Sequence, residues 1–294
     1  MQHIYSRGLA KINIALDIVR KRDDGYHEID TVMQSLGLYD GLYIKKVYKP
    51  DYLKLVSNMP WLPEDHRNLA WQAARYLIDK FAIKEGIFIN IDKAIPASAG
   101  LGGGSADCAA ALLGIRDLFG LPLTNAEIQT LSVEFGADVP FCVLRGTAHA
   151  TGIGEELKPL PQLPYVHILL AKPPVIASTA EVFANYKPGV GQRPDMERVL
   201  HGIESRSILE ICRGMGNVLE SVTIAKHPIV GQLKEFIMAQ GAIKAMMTGS
   251  GPTVFGIFMR KDDAFEAARA IKKNFESIKE VFVTKPSYPY IPTT

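Results

Sequence analysis

Four glycines in five positions, Gly100, Gly102, Gly103 and Gly104, stand ahead of Ser105 and an alanine-rich apolar run that reaches Leu113. The run reads as a helix, so the glycines fall at its N-terminus. Glycine lets the backbone come close to a ligand, and a helix start offers unpaired N–H groups at the positive end of the dipole. Together these make an anion site, most often for phosphate. A plain Gly-rich turn that opens a helix is the alternative, although so many glycines carry an entropy cost that such a turn does not need. The segment lacks the Gly-Lys-Ser/Thr ending of a Walker A loop. A G-x-G-x-x-G can be forced onto it, but no clear series of βαβ units follows.

Other positions carry chemistry in more than one reading. Lys11 is the sole charge in L-A-K-I-N-I-A-L, Leu9 to Leu16. On a strand it shares a face with Asn13, and that face points either into solvent or into a binding site. Asp138 lies among small and apolar residues in G-A-D-V-P-F, Gly136 to Phe141. A carboxylate there is either a cap or turn residue, or it is paired, with a lysine as the natural partner. Tyr26 and His27 follow a turn at Arg22 to Gly25. They are suited to stacking on a nucleobase and bonding its edge, or they are simply the start of a strand. T-G-S-G-P, Thr248 to Pro252, is a hairpin connection or a second backbone approach to phosphate.

These residues need elements to position them. Strand-like alternation runs from about Ala10 to Ile18, and extended segments continue to Val56. Helical spacing covers Asn68 to Lys80, and a short strand, Ile87 to Ile91, leads into the Gly-rich loop. Its helix ends near Gly120. Thr124 and Glu127 form a capping box for the next helix, which Gly136 stops. Prolines at 159, 161 and 164 suggest a domain boundary. Beyond them the pattern gives a strand at Val166 to Ala171 and a helix at Ile229 to Gln240. Strands at Ala245 to Met247 and Thr253 to Phe258, a helix at Asp263 to Phe275 and a strand at Glu280 to Thr284 complete it. An antiparallel sheet covered by helices is expected, in an α+β protein with domains at 1–160 and 161–294.

The 294 residues are 47% hydrophobic and 22% charged, ordinary for a globular chain. A net charge of +2 gives no broad basic footprint for nucleic acid. The start of the chain lacks a signal-peptide core, and no run reaches the roughly 18 apolar residues that a membrane span needs. Three scattered cysteines, Cys108, Cys142 and Cys212, suit neither a metal site nor a disulfide framework. A cytoplasmic protein, monomer or weak homodimer, with no nucleic-acid or membrane partner, is expected.

Taken together, A-K-I-N at Ala10 to Asn13, I-P-A-S-A-G-L-G-G-G-S-A-D at Ile95 to Asp107 and T-G-S-G-P-T-V-F at Thr248 to Phe255 resemble the GHMP small-molecule kinases. Their order and spacing cover nearly the whole chain. D-G-Y-H at Asp24 to His27, the triple glycine and G-A-D-V-P-F look characteristic of the members that act on a cytidyl sugar alcohol. Homoserine, mevalonate and galactose kinases are the alternatives within the family.

The resemblance implies a two-domain α+β architecture with a cleft between the domains, and transfer of a phosphoryl group from ATP, with Mg²⁺, to a hydroxyl of a small-molecule acceptor. By position Lys11 and Asp138 would be the catalytic pair, and Asn13 would help place the acceptor. Tyr26, His27 and Phe183 would hold the cytosine. Pro96 and the backbone of Gly100, Leu101, Gly102, Gly103, Gly104 and Ser105 would wrap the ATP phosphates. Asn68 and Lys93 would lie near the adenosine. Ala184 follows Phe183 where some members carry a basic residue, and Asp107 stands where an amide or small polar residue is expected.

Overall fold

The chain begins as two long paired strands, β1 (His3–Lys21) and β2 (His27–Val47). The turn between them closes where Arg22 N–H donates to the Tyr26 carbonyl and Gly25 N–H donates to Arg22. A computed structural model describes residues 2–288. By contacts these form two compact units built from interleaved segments. One holds the chain up to 10, 38–97 and 102–145; the other holds 11–37, 98–101 and 146 onward. The proline cluster at 159–164 connects two strands inside the second unit.

In the first unit the second half of β2 pairs antiparallel with β4 (Gly86–Asp92), and β3 (Leu53–Ser57) pairs parallel with β4. A parallel neighbour requires a crossover, which α1 (Leu69–Lys80) supplies. Along β4 the isoleucines Ile87, Ile89 and Ile91 are fully buried, while Asn90 and Asp92 face out. That is the period-two pattern of a half-buried strand. Helix α2 (Gly103–Phe119) is apolar on nearly every side and packs against α1 and α4 (Val139–Leu144), with α3 (Asn125–Ser132) beside α4. The expected capping box opens α3, with both reciprocal bonds between Thr124 and Glu127 formed.

In the second unit the first half of β2 pairs with β5 (Thr147–Thr151), and β5 pairs with β6 (Glu156–Pro159). These two short strands were not anticipated from the sequence. T-A-H-A-T has no large apolar residue to show a strand alternation, and its partner on β2 is remote in sequence. A fully antiparallel sheet follows, in the order β10 (Glu280–Thr284), β7 (His167–Lys172), β9 (Val254–Phe258), β8 (Lys244–Met247). Helices α9 (Pro228–Ala239) and α10 (Lys261–Asn274) cover it, as the pattern predicts. On α10 the buried residues Ala264, Ala267, Ala268 and Ile271 recur at three- and four-residue spacing. The unit also contains α5 (Thr179–Ala184), α6 (Met196–Glu204), α7 (Ile208–Gly214) and α8 (Glu220–Lys226).

Candidate active site

Lys11 sits on β1 and is 5% exposed, so its strand face is not a solvated one. Its Nζ donates to Asn13 Oδ1 at 2.9 Å. Asn13 Nδ2 donates to Thr31 Oγ1 at 2.9 Å, and that hydroxyl donates to the Ala15 carbonyl at 2.6 Å. The amide of Asn13 is therefore held at both ends, which fixes the oxygen that receives the lysine.

The backbone of the same strand reaches the other two motifs. Lys11 N–H donates to the Leu101 carbonyl at 3.0 Å, and Asn13 N–H donates to Thr248 Oγ1 at 3.0 Å. The Thr248 hydroxyl in turn donates to the Gly100 carbonyl at 3.3 Å. One buried hydroxyl thus links the lysine strand, the glycine loop and the turn between β8 and β9. Asn217 Nδ2 braces that turn, donating to the carbonyls of Met247 and Gly249 at 2.9 Å each. Thr31, Thr248 and Asn217 were not singled out individually from sequence. Only the third motif pointed at Thr248.

The loop then delivers the helix start. Gly102 takes a left-handed conformation at the N-cap of α2, with φ 70°, and no side chain caps the helix. The first helical bond runs from Ala106 N–H to the Gly102 carbonyl. The N–H groups of Gly103, Gly104 and Ser105 therefore have no helical acceptor. They sit at the positive end of a 17-residue helix, the arrangement that receives a phosphate. Leu101, within the loop, and Pro96, just before it, are buried.

Asp138 occupies the N-cap position of α4 with φ −81° and ψ −15°, and its side chain makes no capping bond. The cap reading of this residue therefore does not account for its carboxylate. It is half-buried, one residue before the fully buried Val139.

Phe183 meets His27, with ring centroids 5.5 Å apart and tilted by 42°. Burial first, and then the nearby Lys21 charge, hold the His27 pKa below the ordinary histidine value. The imidazole is thus biased toward its neutral form, with one nitrogen free to accept and one to donate. Tyr26 is 62% exposed and, among the described residues, joins no aromatic pair. Ala184 ends α5 on its exposed side.

The two residues expected near adenosine are both engaged in the first unit. Asn68 caps α1, its side chain accepting from Ala70 N–H and donating to the Pro63 carbonyl, each at 2.9 Å. Lys93 is buried between two aspartates that the sequence did not bring together. Its Nζ donates to Asp107 Oδ2 at 2.7 Å and to Asp40 Oδ2. Asp40 Oδ1 also accepts from the N–H groups of Ala94 and Ile95. Burial opposes the Lys93 charge, but the two carboxylates outweigh it and hold its pKa above the ordinary lysine value.

Burial likewise pushes the Asp107 carboxyl well above the usual range, with Lys93 offsetting only part of the effect and Asp40 adding to it. A raised pKa means that the folded chain holds this proton to higher pH than the unfolded chain does. The resulting stability is full below the unfolded carboxylate pKa and is lost as pH rises through the raised one. We expect the urea unfolding midpoint to fall between slightly acidic and mildly alkaline pH. Asp107→Asn should remove a drop of roughly 1 to 3 kcal/mol from that profile. Identical profiles for the two proteins would exclude this titration.

Among the described residues, no group of three or more His, Cys, Asp or Glu is placed to hold a metal ion. In the pair around Lys93, the ammonium already takes the place that a cation would fill.

A family model described as "GHMP kinases N terminal domain" matches residues 68–146, and one described as "GHMP kinases C terminal" matches residues 199–277. The chain is 39% identical to 4-diphosphocytidyl-2-C-methyl-D-erythritol kinase of Lachnospira eligens, over 98% of this chain and 100% of that one. It is 44% identical to the protein of the same name from Caldicellulosiruptor saccharolyticus, over 95% of each. A crystal structure of 4-(cytidine 5'-diphospho)-2C-methyl-D-erythritol kinase superposes with a TM-score of 0.80 at 29% identity, covering 97% of this chain and 100% of that one. Homoserine kinase from Cytophaga hutchinsonii superposes at 0.77 with 19% identity, covering 98% and 95%, a likeness of fold alone.

Proposed function

This chain belongs to the GHMP kinases, small-molecule kinases that use ATP, and we propose that its acceptor is 4-diphosphocytidyl-2-C-methyl-D-erythritol. The product is the 2-phosphate, an intermediate of the non-mevalonate route to isoprenoid precursors. The observation that carries this choice of acceptor is identity of 39% and 44%, along nearly the whole chain, to proteins of that name. The pairing of His27 with Phe183 supports it, since a base could stack there and meet a neutral imidazole edge.

In this reading the hydroxyl oxygen of the acceptor attacks the γ-phosphorus of ATP, the bond to the β-phosphate oxygen breaks, and ADP leaves. Phosphoryl transfer asks the protein mainly for positioning and charge neutralisation. The N–H groups of Gly103 to Ser105 hold phosphate oxygens. Lys11, oriented by Asn13, offsets charge on the transferred group. Asp138 orients the hydroxyl and receives its proton. Asn13 also helps place the acceptor, Tyr26 helps hold the cytosine, and Pro96 and Asn68 shape the nucleotide site. Mg²⁺ accompanying the nucleotide would supply further neutralisation of the triphosphate charge.

The division of the sequence at 1–160 and 161–294 belongs to the same proposal, as do a cytoplasmic location, a monomer or weak homodimer, and the absence of a nucleic-acid partner. Among the described residues, no helix is long and apolar enough to cross a membrane.

ADP release with Mg-ATP and three acceptors tests the reading: the cytidyl-methylerythritol, homoserine and mevalonate. Turnover with the first alone is expected. Turnover with another acceptor would keep the kinase and discard the cytosine site. No turnover with any, in folded protein, would overturn the proposed reaction.

A further inference from the structure

We propose that Arg7 and Arg145 form a further anion site in the first unit, one that takes a phosphate group, either free or carried by a small ester. The site is separate from the residues assigned above to the nucleotide and the acceptor, and it stands whichever acceptor the kinase uses.

Two remote stretches of chain bring the guanidinium groups together. Arg7 lies on β1, and Arg145 follows the last residue of α4. Arg145 Nη2 donates to the Arg7 carbonyl at 2.9 Å. The Arg7 guanidinium lies over the ring of Tyr39 on β2, 4.6 Å from its centroid. Among the described residues, no carboxylate pairs with either arginine. Arg20, Arg22, Arg67, Arg75 and Arg193, by contrast, each have an acidic partner. Two like charges thus stand side by side with nothing to offset them.

Three features of Arg145 are unfavourable for folding alone. Its Nε is buried and has no hydrogen-bond partner. Burial lowers its pKa from the ordinary arginine value; Cys142 opposes this and Arg7 adds to it. Its backbone has φ 63° and ψ 179°, a region that almost only glycine adopts. A cation gains a little at the C-terminal end of a helix, and the bond to the Arg7 carbonyl adds to that. Neither supplies what Nε lacks. Nε is a donor, so the missing group is an acceptor.

An oxyanion provides it. A guanidinium presents Nε–H and an Nη–H side by side, spaced for two oxygens of one anion, and Arg145 stays charged at neutral pH. A phosphate group carries about two negative charges and has oxygens enough to meet both arginines, whereas a carboxylate offsets only one of them. The same anion removes the repulsion between Arg7 and Arg145.

The test compares the full chain with Arg7→Gln and Arg145→Gly, using inorganic phosphate at constant ionic strength in chloride. The glycine-led start of α2 is common to all three proteins, so any phosphate held there cancels in the comparison. With a Kd of about 1 mM, phosphate at about 10 mM should raise the wild-type melting temperature by about 2 °C or more. Each variant should lose at least half of that rise. In chloride alone, Arg145→Gly should melt at or above wild type, since glycine suits this backbone and the orphan donor is gone. In a nitrogen-15 spectrum, the side-chain Nε–H signal that is missing from Arg145→Gly identifies Arg145. It should move with phosphate and saturate, and should not move with acetate. Glycerol phosphate serves as the ester; the tighter of the two phosphates names the source, and either supports the site.

An equal phosphate response in all three proteins would overturn the proposal. So would an Arg145 Nε–H signal that phosphate leaves in place, or one that acetate moves as far. Lower melting of Arg145→Gly in chloride, with its phosphate response intact, would make the arginine merely structural. If Arg145→Gly does not fold, Arg7→Gln decides, because Arg7 is exposed.

Discussion

Asp138→Asn is expected to lower kcat by about a thousandfold while Mg-ATP affinity stays within about threefold of wild type. The reason lies in how its helix is held. Asp138 makes no capping bond, and Pro140 in the first turn of α4 presets the backbone for helix. Val139, Pro140, Phe141, Cys142 and Val143 are buried and anchor that turn by packing. Replacing a carboxylate by an amide of the same shape therefore leaves the local fold intact, and a loss of rate is chemical. Asparagine can still orient a hydroxyl but cannot take its proton or stabilise charge. The ratio of the two effects thus separates orientation from proton transfer. Turnover near wild type would remove Asp138 from the mechanism. A matching loss of ATP affinity would make its role one of binding.

Gly100→Ala is the second large effect, with an expected rise in ATP KM of more than about tenfold and a fall in kcat. Gly100 has φ +73°, a region that costs an L-residue about 1 to 2 kcal/mol. A Cβ there would also lie 2.4 Å from the Thr248 carbonyl oxygen and 3.1 Å from that of Gly251. Both obstacles are backbone, so the loop itself must move. That movement breaks the bond from the Thr248 hydroxyl to the Gly100 carbonyl, and with it one of the ties between the glycine loop and the strand of Lys11. Gly120→Ala is the control. Its φ is +63°, but a Cβ there meets nothing within 4 Å, so it bears the backbone strain alone. It should lower the melting temperature without changing ATP affinity. Wild-type ATP KM in Gly100→Ala would show that the loop does not depend on this close approach.

Much of this protein was readable along the chain because the interactions concerned are local. The Thr124–Glu127 box spans three residues and needs no tertiary partner, so its sequence signature and its hydrogen bonds coincide. The same holds for α10, whose buried face follows from spacing alone, and for the glycine-led start of α2. The three motifs, in their order, were enough to indicate the family that the comparisons then showed.

What tertiary structure decided is where faces point and which charges meet. Alternation on β1 put Lys11 and Asn13 on one side but could not say whether that side was wet. Burial to 5% and 2%, with Thr31 and Thr248 as partners 18 and 235 residues from Asn13, supplied the answer. Lys93 meets Asp107 across 14 residues and Asp40 across 53, and Asn68 is engaged in capping α1. The strand β5 exists because β2 offers it an edge, and β6 because β5 does. Local propensity and turn chemistry act over a few residues and are written in order along the chain. Burial and charge pairing depend on distance in space, and folding brings together residues whose separation in sequence carries no sign of it.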